Sequence, residues 1–405
     1  MFLTVSKRLE FSASRRLFVK GWSDADNLAA FGPETSARYG TGRNYVAFFV
    51  FTGGVNRATG MLVNISEIKD RVEKVLHERF DHKFLNEDHP AFAYVPPTAE
   101  NVARQLFTEV QPLFGDLEAK LVVCHLIETP ERSATFYATG IGEANYWFEF
   151  SAARQTMSPN LSAKENERLF GAASSPFGHG HNYRARLTFR SGAKEKIPFP
   201  SGEDVVRCLQ SLHAELDHKN LNTEVAGLTK RPMTTETIAQ YVHGRITAAS
   251  LPVHRVRLHE RDDFFAEYWG SGEIFLGMQM PFSAAHRLNA PSLSAAENVS
   301  LYGKCNNPRG HGHLYLAEAT IGGRYDERSG TLYRFASFQE AMEEGLRSWQ
   351  NKHLDLETDE FREMPSTGEN IVRALWPKLN NRLNDQLARL HLWETANNRF
   401  TLRKV

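Results

Sequence analysis

Apolar positions along the chain alternate between two periods, and the alternation predicts a recurring set of elements. After Asn64, the residues Ile65, Ile68, Val72, Val75 and Leu76 recur at helical spacing, and after Thr98 the residues Val102, Leu106 and Val110 do the same. Asn64 and Thr98 are side chains suited to capping the first turn. The two segments therefore read as amphipathic helices that must lay one face on a sheet. Tyr45 to Phe51 and Leu121 to Ile127 are short runs of β-branched, aromatic and aliphatic residues, the signature of buried strands. Turn residues cluster at Thr139-Gly140-Ile141-Gly142 and at Gly270-Ser271-Gly272, which marks boundaries there. Within each unit so bounded the expected order is strand, strand, helix, helix, strand, strand.

The same short phrases return at a period of about 135 residues. Phe11-Ser12-Ala13-Ser14-Arg15 recurs as Phe150-Ser151-Ala152-Ala153-Arg154 and as Phe282-Ser283-Ala284-Ala285-His286. Gly40-Thr41-Gly42-Arg43-Asn44-Tyr45 is matched by Gly178-His179-Gly180-His181-Asn182-Tyr183 and Gly310-His311-Gly312-His313-Leu314-Tyr315. Phe80-Asp81-His82 and Leu216-Asp217-His218 correspond to Trp349-Gln350-Asn351. Thr98-Ala99-Glu100-Asn101, Thr234-Thr235-Glu236-Thr237 and Thr367-Gly368-Glu369-Asn370 form a fourth set. Ile127-Glu128-Thr129, His259-Glu260-Arg261 and Trp393-Glu394-Thr395 form a fifth. The order is kept each time, which divides the chain into units at 1–141, 142–271 and 272–405.

The third unit alone carries a full set of metal-binding side chains. On a strand, the two histidines of His311-Gly312-His313 project to one side, and His286 from a neighbouring strand completes a trio of imidazoles. Three neutral nitrogen ligands leave zinc an open fourth position, which is the catalytic pattern. Five residues separate Cys305 from His311. The second unit keeps His179 and His181 but has Arg154 and Ala173 at the other two places, and the first has Arg15, Thr41 and Arg43. A guanidinium cannot ligate zinc and repels it. One complete metal site per chain is therefore expected, with His179 and His181 read as a packed remnant. The Asp-His pairs are distributed the other way: Asp81-His82 and Asp217-His218 persist where the third unit has Gln350-Asn351.

Phe-Ser-Ala-Ala-His followed by Gly-Lys-Cys-Asn-Asn-Pro-Arg-Gly-His-Gly-His resembles the 6-pyruvoyltetrahydropterin synthase family, which includes the 6-carboxytetrahydropterin synthases. The resemblance implies an α+β chain of three fused tunnelling-fold (T-fold) units that close one twelve-stranded antiparallel barrel with helices outside. It implies a zinc-dependent lyase that eliminates triphosphate from 7,8-dihydroneopterin triphosphate. Zinc would sit on His286, His311 and His313, and Cys305 would transfer protons. An Asp-His relay, Asp217-His218 or Asp81-His82, would reach Cys305 from a neighbouring unit, and the second unit's pair is the closer match. Glu394 is the expected anchor for the pterin ring, Thr367 adds donors to it, and Lys304, Arg309, Lys352 and Arg287 are candidates for the triphosphate. Cys-x5-His-Gly-His spacing resembles the biopterin-forming enzymes, whereas the carboxytetrahydropterin synthases of the queuosine route resemble Cys-x3-His-Gly-His. A non-catalytic pterin-binding scaffold is the reading from another class, and the intact trio argues against it.

Composition narrows the remaining classes. Lys+Arg and Asp+Glu are equal at 48 each, so no bulk field draws nucleic acid or an anionic membrane. No apolar run approaches the roughly 18 residues of a membrane span. Cys124, Cys208 and Cys305 form no paired motif, and the first two read as packing residues in a reducing compartment. A cytoplasmic enzyme acting on a small molecule, with chains stacked as a homodimer, is the expectation.

Overall fold

The computed structural model describes residues 1–192 and 199–404. Four long strands come from each unit. The first unit supplies β1 (Phe2–Arg15), β2 (Thr41–Thr52), β3 (Lys120–Thr129) and β4 (Arg132–Tyr137). The second supplies β5 (Ile141–Arg154), β6 (His179–Gly192), β7 (Val253–Arg261) and β8 (Phe264–Tyr268). The third supplies β9 (Ile274–His286), β10 (His311–Gly323), β11 (Leu387–Thr395) and β12 (Asn398–Arg403). Neighbouring long strands run antiparallel, and the units join by strand pairing, β4 to β5, β8 to β9 and β12 to β1. The result is a closed twelve-stranded barrel without a free long edge, which removes the liability of an open sheet.

Helices cover the outside. α1 (Asp24–Phe31), α2 (Ile65–Val75) and α3 (Ala99–Val110) belong to the first unit, and α4 (Ala163–Phe170), α5 (Gly202–Leu216) and α6 (Thr235–Ala248) to the second. α7 (Ala295–Tyr302), α8 (Phe335–Leu346) and α9 (Gly368–Arg382) belong to the third. Asn64 and Thr98 cap α2 and α3 as their positions suggested. α1, α4 and α7 add a short helix between the first two strands of every unit, an element that apolar periodicity does not reveal. Each begins on a serine cap (Ser23, Ser162, Ser294), and Glu165 and Glu297 complete capping boxes in the latter two.

Alternation along the strands puts one face under the helices and the other into the barrel. Under the helices a Phe–Tyr pair stacks in every unit: Phe11 on Tyr45 at 4.9 Å, Phe150 on Tyr183 at 4.9 Å and Phe282 on Tyr315 at 5.0 Å between ring centres. All three tyrosines are fully buried. Offset aromatic pairs of this kind contribute about 0.5–1.5 kcal/mol beyond their buried area. In the third unit the pair lies on the same side as the histidines, with Tyr315 6.0 Å from His286 and 5.4 Å from His313 between ring centres, and steadies the strand ends that carry them.

Candidate functional site

Strand register assembles the trio. β9 and β10 pair with His286 opposite His311 and Ala284 opposite His313, so the three imidazoles share the helix-facing side. Their ring nitrogens lie within 4.8 Å of one another. His286 is completely buried, and its Nδ1 lies 2.9 Å from the Ser366 carbonyl. A carbonyl only accepts, so Nδ1 carries the proton and Nε2 presents a lone pair to the centre. That Nε2 is 3.2 Å from His311 Nε2. His311 Nδ1 and His313 Nε2 are buried without a hydrogen-bond partner. Burial and the neighbouring imidazoles push His311 down to about 4, and burial first, then His286, lowers His313 against the pull of Glu394. Three imidazoles that meet at one point, joined to one another only by the His286 Nε2–His311 Nε2 hydrogen bond, are an arrangement a bound cation resolves, so these residues fit zinc.

The loop before β10 brings in the thiol. Asn306 donates from Nδ2 to the Leu288 carbonyl at 2.7 Å, and Leu288 N–H donates to the Cys305 carbonyl at 3.0 Å, pinning the turn to the strand end beyond His286. Gly310 has φ 71°, and a Cβ there would come within 2.8 Å of the His286 carbonyl. Only glycine makes that turn without strain, and Gly40 and Gly178 repeat it with φ 80° and 67°. Burial and the Glu394 carboxylate push the Cys305 thiol up, and Lys304 pulls it down. Glu394 sits across the centre on β11, with Oε1 3.7 Å from His286 Nε2 and 3.8 Å from His313 Nε2.

The third unit's site opens onto the first unit. Thr367 Oγ1 donates to the Gly60 carbonyl at 2.7 Å, Tyr302 hydroxyl donates to the Thr59 carbonyl at 2.6 Å, and Leu62 N–H donates to Glu369 Oε1 at 2.9 Å. Glu369 is buried and is pushed up to about 7, chiefly by desolvation against the Leu62 amide. It belongs to the recurring Thr-x-Glu phrase, but its role at the boundary between units leaves no local sequence signal. The Thr367 hydroxyl is thus spent on the wall of the site. Arg287 is likewise committed, donating from Nε to the Asn306 carbonyl at 3.1 Å, and Lys352 pairs with Glu357 at 2.8 Å. Lys304 and Arg309 stay exposed beside Cys305.

Both Asp-His pairs are held by their own units. Asp81 Oδ1 accepts the Ser12 amide and Asp217 Oδ1 the Ser151 amide, each at 2.8 Å. The carboxylates also hold their histidines, His82 Nδ1 at 2.9 Å and His218 Nδ1 at 2.5 Å. His82 and His218 are 84% and 83% exposed. Both have positive φ, 57° and 55°. Among the described residues, no hydrogen bond or ion pair links either pair to Cys305. Gln350 copies the strand contact, accepting the Ser283 amide at 3.1 Å, without the titratable pair.

The place that His286 takes in the third unit is filled in the first by Arg15, whose Nε donates to Glu128 Oε1 at 2.7 Å and whose Nη1 donates to Glu34 at 2.6 Å. Arg43 closes on the same Glu34. In the second unit Arg154 is joined to Glu260, which also lies 3.0 Å from His181 Nε2. Each arginine thus neutralises the glutamate equivalent to Glu394.

The family model for 6-pyruvoyl tetrahydropterin synthase matches the chain three times, at residues 4–139, 144–271 and 276–405. A 6-pyruvoyl tetrahydrobiopterin synthase of Drosophila melanogaster is 37% identical over 132 residues, 32% of this chain and 79% of the fly protein. The Homo sapiens protein of that name is 38% identical over 122 residues, 30% of this chain and 84% of its own length. The solved Caenorhabditis elegans 6-pyruvoyl tetrahydropterin synthase aligns with 33% of this chain and 96% of its own, at 33% identity and a TM-score of 0.32. Three successive matches that together span nearly the whole sequence place this chain in the 6-pyruvoyl tetrahydropterin synthase family, as three copies of its unit in one polypeptide.

Proposed function

We propose that the third unit's site, closed by the wall at 58–62, eliminates triphosphate from 7,8-dihydroneopterin triphosphate to give a 6-pyruvoyl tetrahydropterin. One observation carries the reading: in a chain of this family, and among the described residues, only His286, His311 and His313 bring three imidazoles within 4.8 Å of one another, with Cys305 and Glu394 beside them. His286, His311 and His313 would hold zinc, which when bound supplies Lewis acidity to oxygens next to the carbon that loses its proton. Glu394 accepts hydrogen bonds from the ring amine and ring N–H, and its carboxylate fixes the ring plane. Cys305 takes and returns the proton on the side chain, the role a thiol performs once neighbouring positive charge lowers its pKa. Lys304 and Arg309 meet the triphosphate at the exposed rim, while Thr367 acts through the wall it holds at Gly60. The relay comes from Asp217-His218 or Asp81-His82 of a second copy of the chain, since both imidazoles face outward. The residues alone lead to the expectation of a relay from a neighbouring unit of the same chain.

Cys-x5-His-Gly-His spacing favours this product over the 6-carboxy product. Incubation with 7,8-dihydroneopterin triphosphate should release triphosphate and yield a pterin that keeps every carbon of the substrate by mass. A product two carbons lighter, with acetaldehyde, would assign the carboxytetrahydropterin reaction. No triphosphate release by zinc-loaded protein would leave a binding scaffold.

A further inference from the structure

The boundary between the second and third units encloses a cavity of about 290 Å3 at the position equivalent to the zinc site. Its closed end is Arg154, 3% exposed. One edge of the guanidinium meets Glu260 and the Thr235 hydroxyl, while Nε and Nη1 are buried without a partner. An unpaired buried donor is costly, on the order of 1–3 kcal/mol, and marks a place where an acceptor is missing. Both Glu260 oxygens are taken, by His181 on one side and by Arg154 and Thr235 on the other, and Arg154 holds the carboxyl well below its usual range. The third unit's Glu394 accepts from Asn398 on Oε2 and keeps Oε1 for a ligand, whereas its equivalent here is occupied on both oxygens and the unpartnered guanidinium atoms are donors. His179, His181 and Glu260 lie within 4.8 Å of one another, yet the fixed charge of Arg154 occupies their centre and excludes a metal.

The first unit shows what a closed remnant looks like. There Glu34 reaches over to take both Arg15 and Arg43. The second unit has no such carboxylate: Ala173 and Gly171 line its cavity. The walls are flat and apolar, formed by Phe170, Phe264 and Phe335, the last two meeting edge to face at 5.0 Å. At the mouth stands Arg334, exposed and without an ion-pair partner among the described residues.

We propose that this cavity is a metal-independent binding site for a flat heterocycle carrying a phosphate tail. A ring oxygen accepts from the unpartnered edge of Arg154, the ring lies against Phe170 and Phe264, and the phosphate reaches Arg334. The volume is at the small end of ligand pockets and suits a bicyclic ring. The site needs neither zinc nor turnover at the third unit, so it stands or falls separately from the proposed activity.

The test is calorimetric titration of the chelator-treated full chain with guanosine triphosphate, guanosine and inorganic triphosphate. Guanosine triphosphate should bind with about one site per chain, tighter than either part alone. Ala336→Trp, at an exposed helix position on the cavity's rim, should abolish that site. Arg334→Gln should weaken guanosine triphosphate about tenfold and leave guanosine unchanged. Zinc content and triphosphate release from the pterin substrate should be unaffected in both variants. The proposal is overturned if guanosine triphosphate does not bind, if Ala336→Trp binds it as the unmodified chain does, or if inorganic triphosphate binds equally well.

Discussion

Replacing Arg15 by methionine tests whether the first unit has traded its metal for a structural ion pair. The substitution keeps most of the buried stem and removes the charge. Glu128 is then left 3% exposed in its side chain, having lost a charge-assisted contact of 2.7 Å, and Glu34 loses one of 2.6 Å. Removing one partner of a buried pair costs about 3–5 kcal/mol, because the remaining charge is left poorly paired, here with only Arg43 Nε at 3.9 Å among the described residues. Glu34 is about one-third exposed and still holds Arg43, so its loss adds about 1 kcal/mol or less. Arg15→Met should therefore lower the free energy of urea unfolding by about 3–5 kcal/mol at pH 7.5. Adding Glu128→Gln should recover most of that, since an amide is far cheaper to strand than a carboxylate. Zinc content and turnover of the folded fraction should be unchanged. A single-variant cost below about 1 kcal/mol, or no recovery in the double variant, would refute the view that this pair replaces the metal as a structural element.

Three further outcomes follow from the same contacts. Cys305→Ala should keep zinc and pterin binding while slowing triphosphate release about a hundredfold, the scale for losing a positioned acid-base group; loss of zinc would make the thiol a ligand. If the relay comes from a second chain, His82→Ala/His218→Ala protein and Cys305→Ala protein, each nearly inactive, should regain activity on mixing, whereas an intrachain relay gives no regain. Burial first, then neighbouring arginines, holds His125 and His259 at about 3, so the unfolded chain binds more protons below pH 6.5 and stability falls as pH drops toward 3. At pH 5 the loss should be on the order of 1–2 kcal/mol for each histidine after allowance for partial exposure; His125→Gln should remove one share of it in urea titrations, and a pH-independent stability from 7 to 5 would contradict the assignment.

Much of this architecture was legible in the residues because its causes are local or repeated. Apolar spacing found α2 and α3, cap residues found their starts, and the recurrence of Phe-Ser-Ala announced three β-rich units. The trio was readable because His-x-His fixes a face by itself, and only the pairing of His286 with His311 had to be supplied by the fold. What escaped detection depends on contacts across boundaries between units. Glu369 to Leu62 and Thr367 to Gly60 join residues 307 apart in sequence, so no spacing rule proposes them. Arg287 and Lys352 looked available for phosphate by charge alone, but they hold the Cys305 turn and Glu357. The helices α1, α4 and α7 were missed because they are short, although Ser162 with Glu165 and Ser294 with Glu297 spell a capping signal. His179 and His181 read as a packed remnant, and nothing in their spacing disclosed the cavity they line.

Metal analysis of the purified full chain tests the central claim, a single catalytic centre built on His286, His311 and His313, most directly. The account predicts one zinc per chain, none in His313→Ala and one in His181→Ala. Three zinc ions per chain, or zinc retained by His313→Ala, would contradict it.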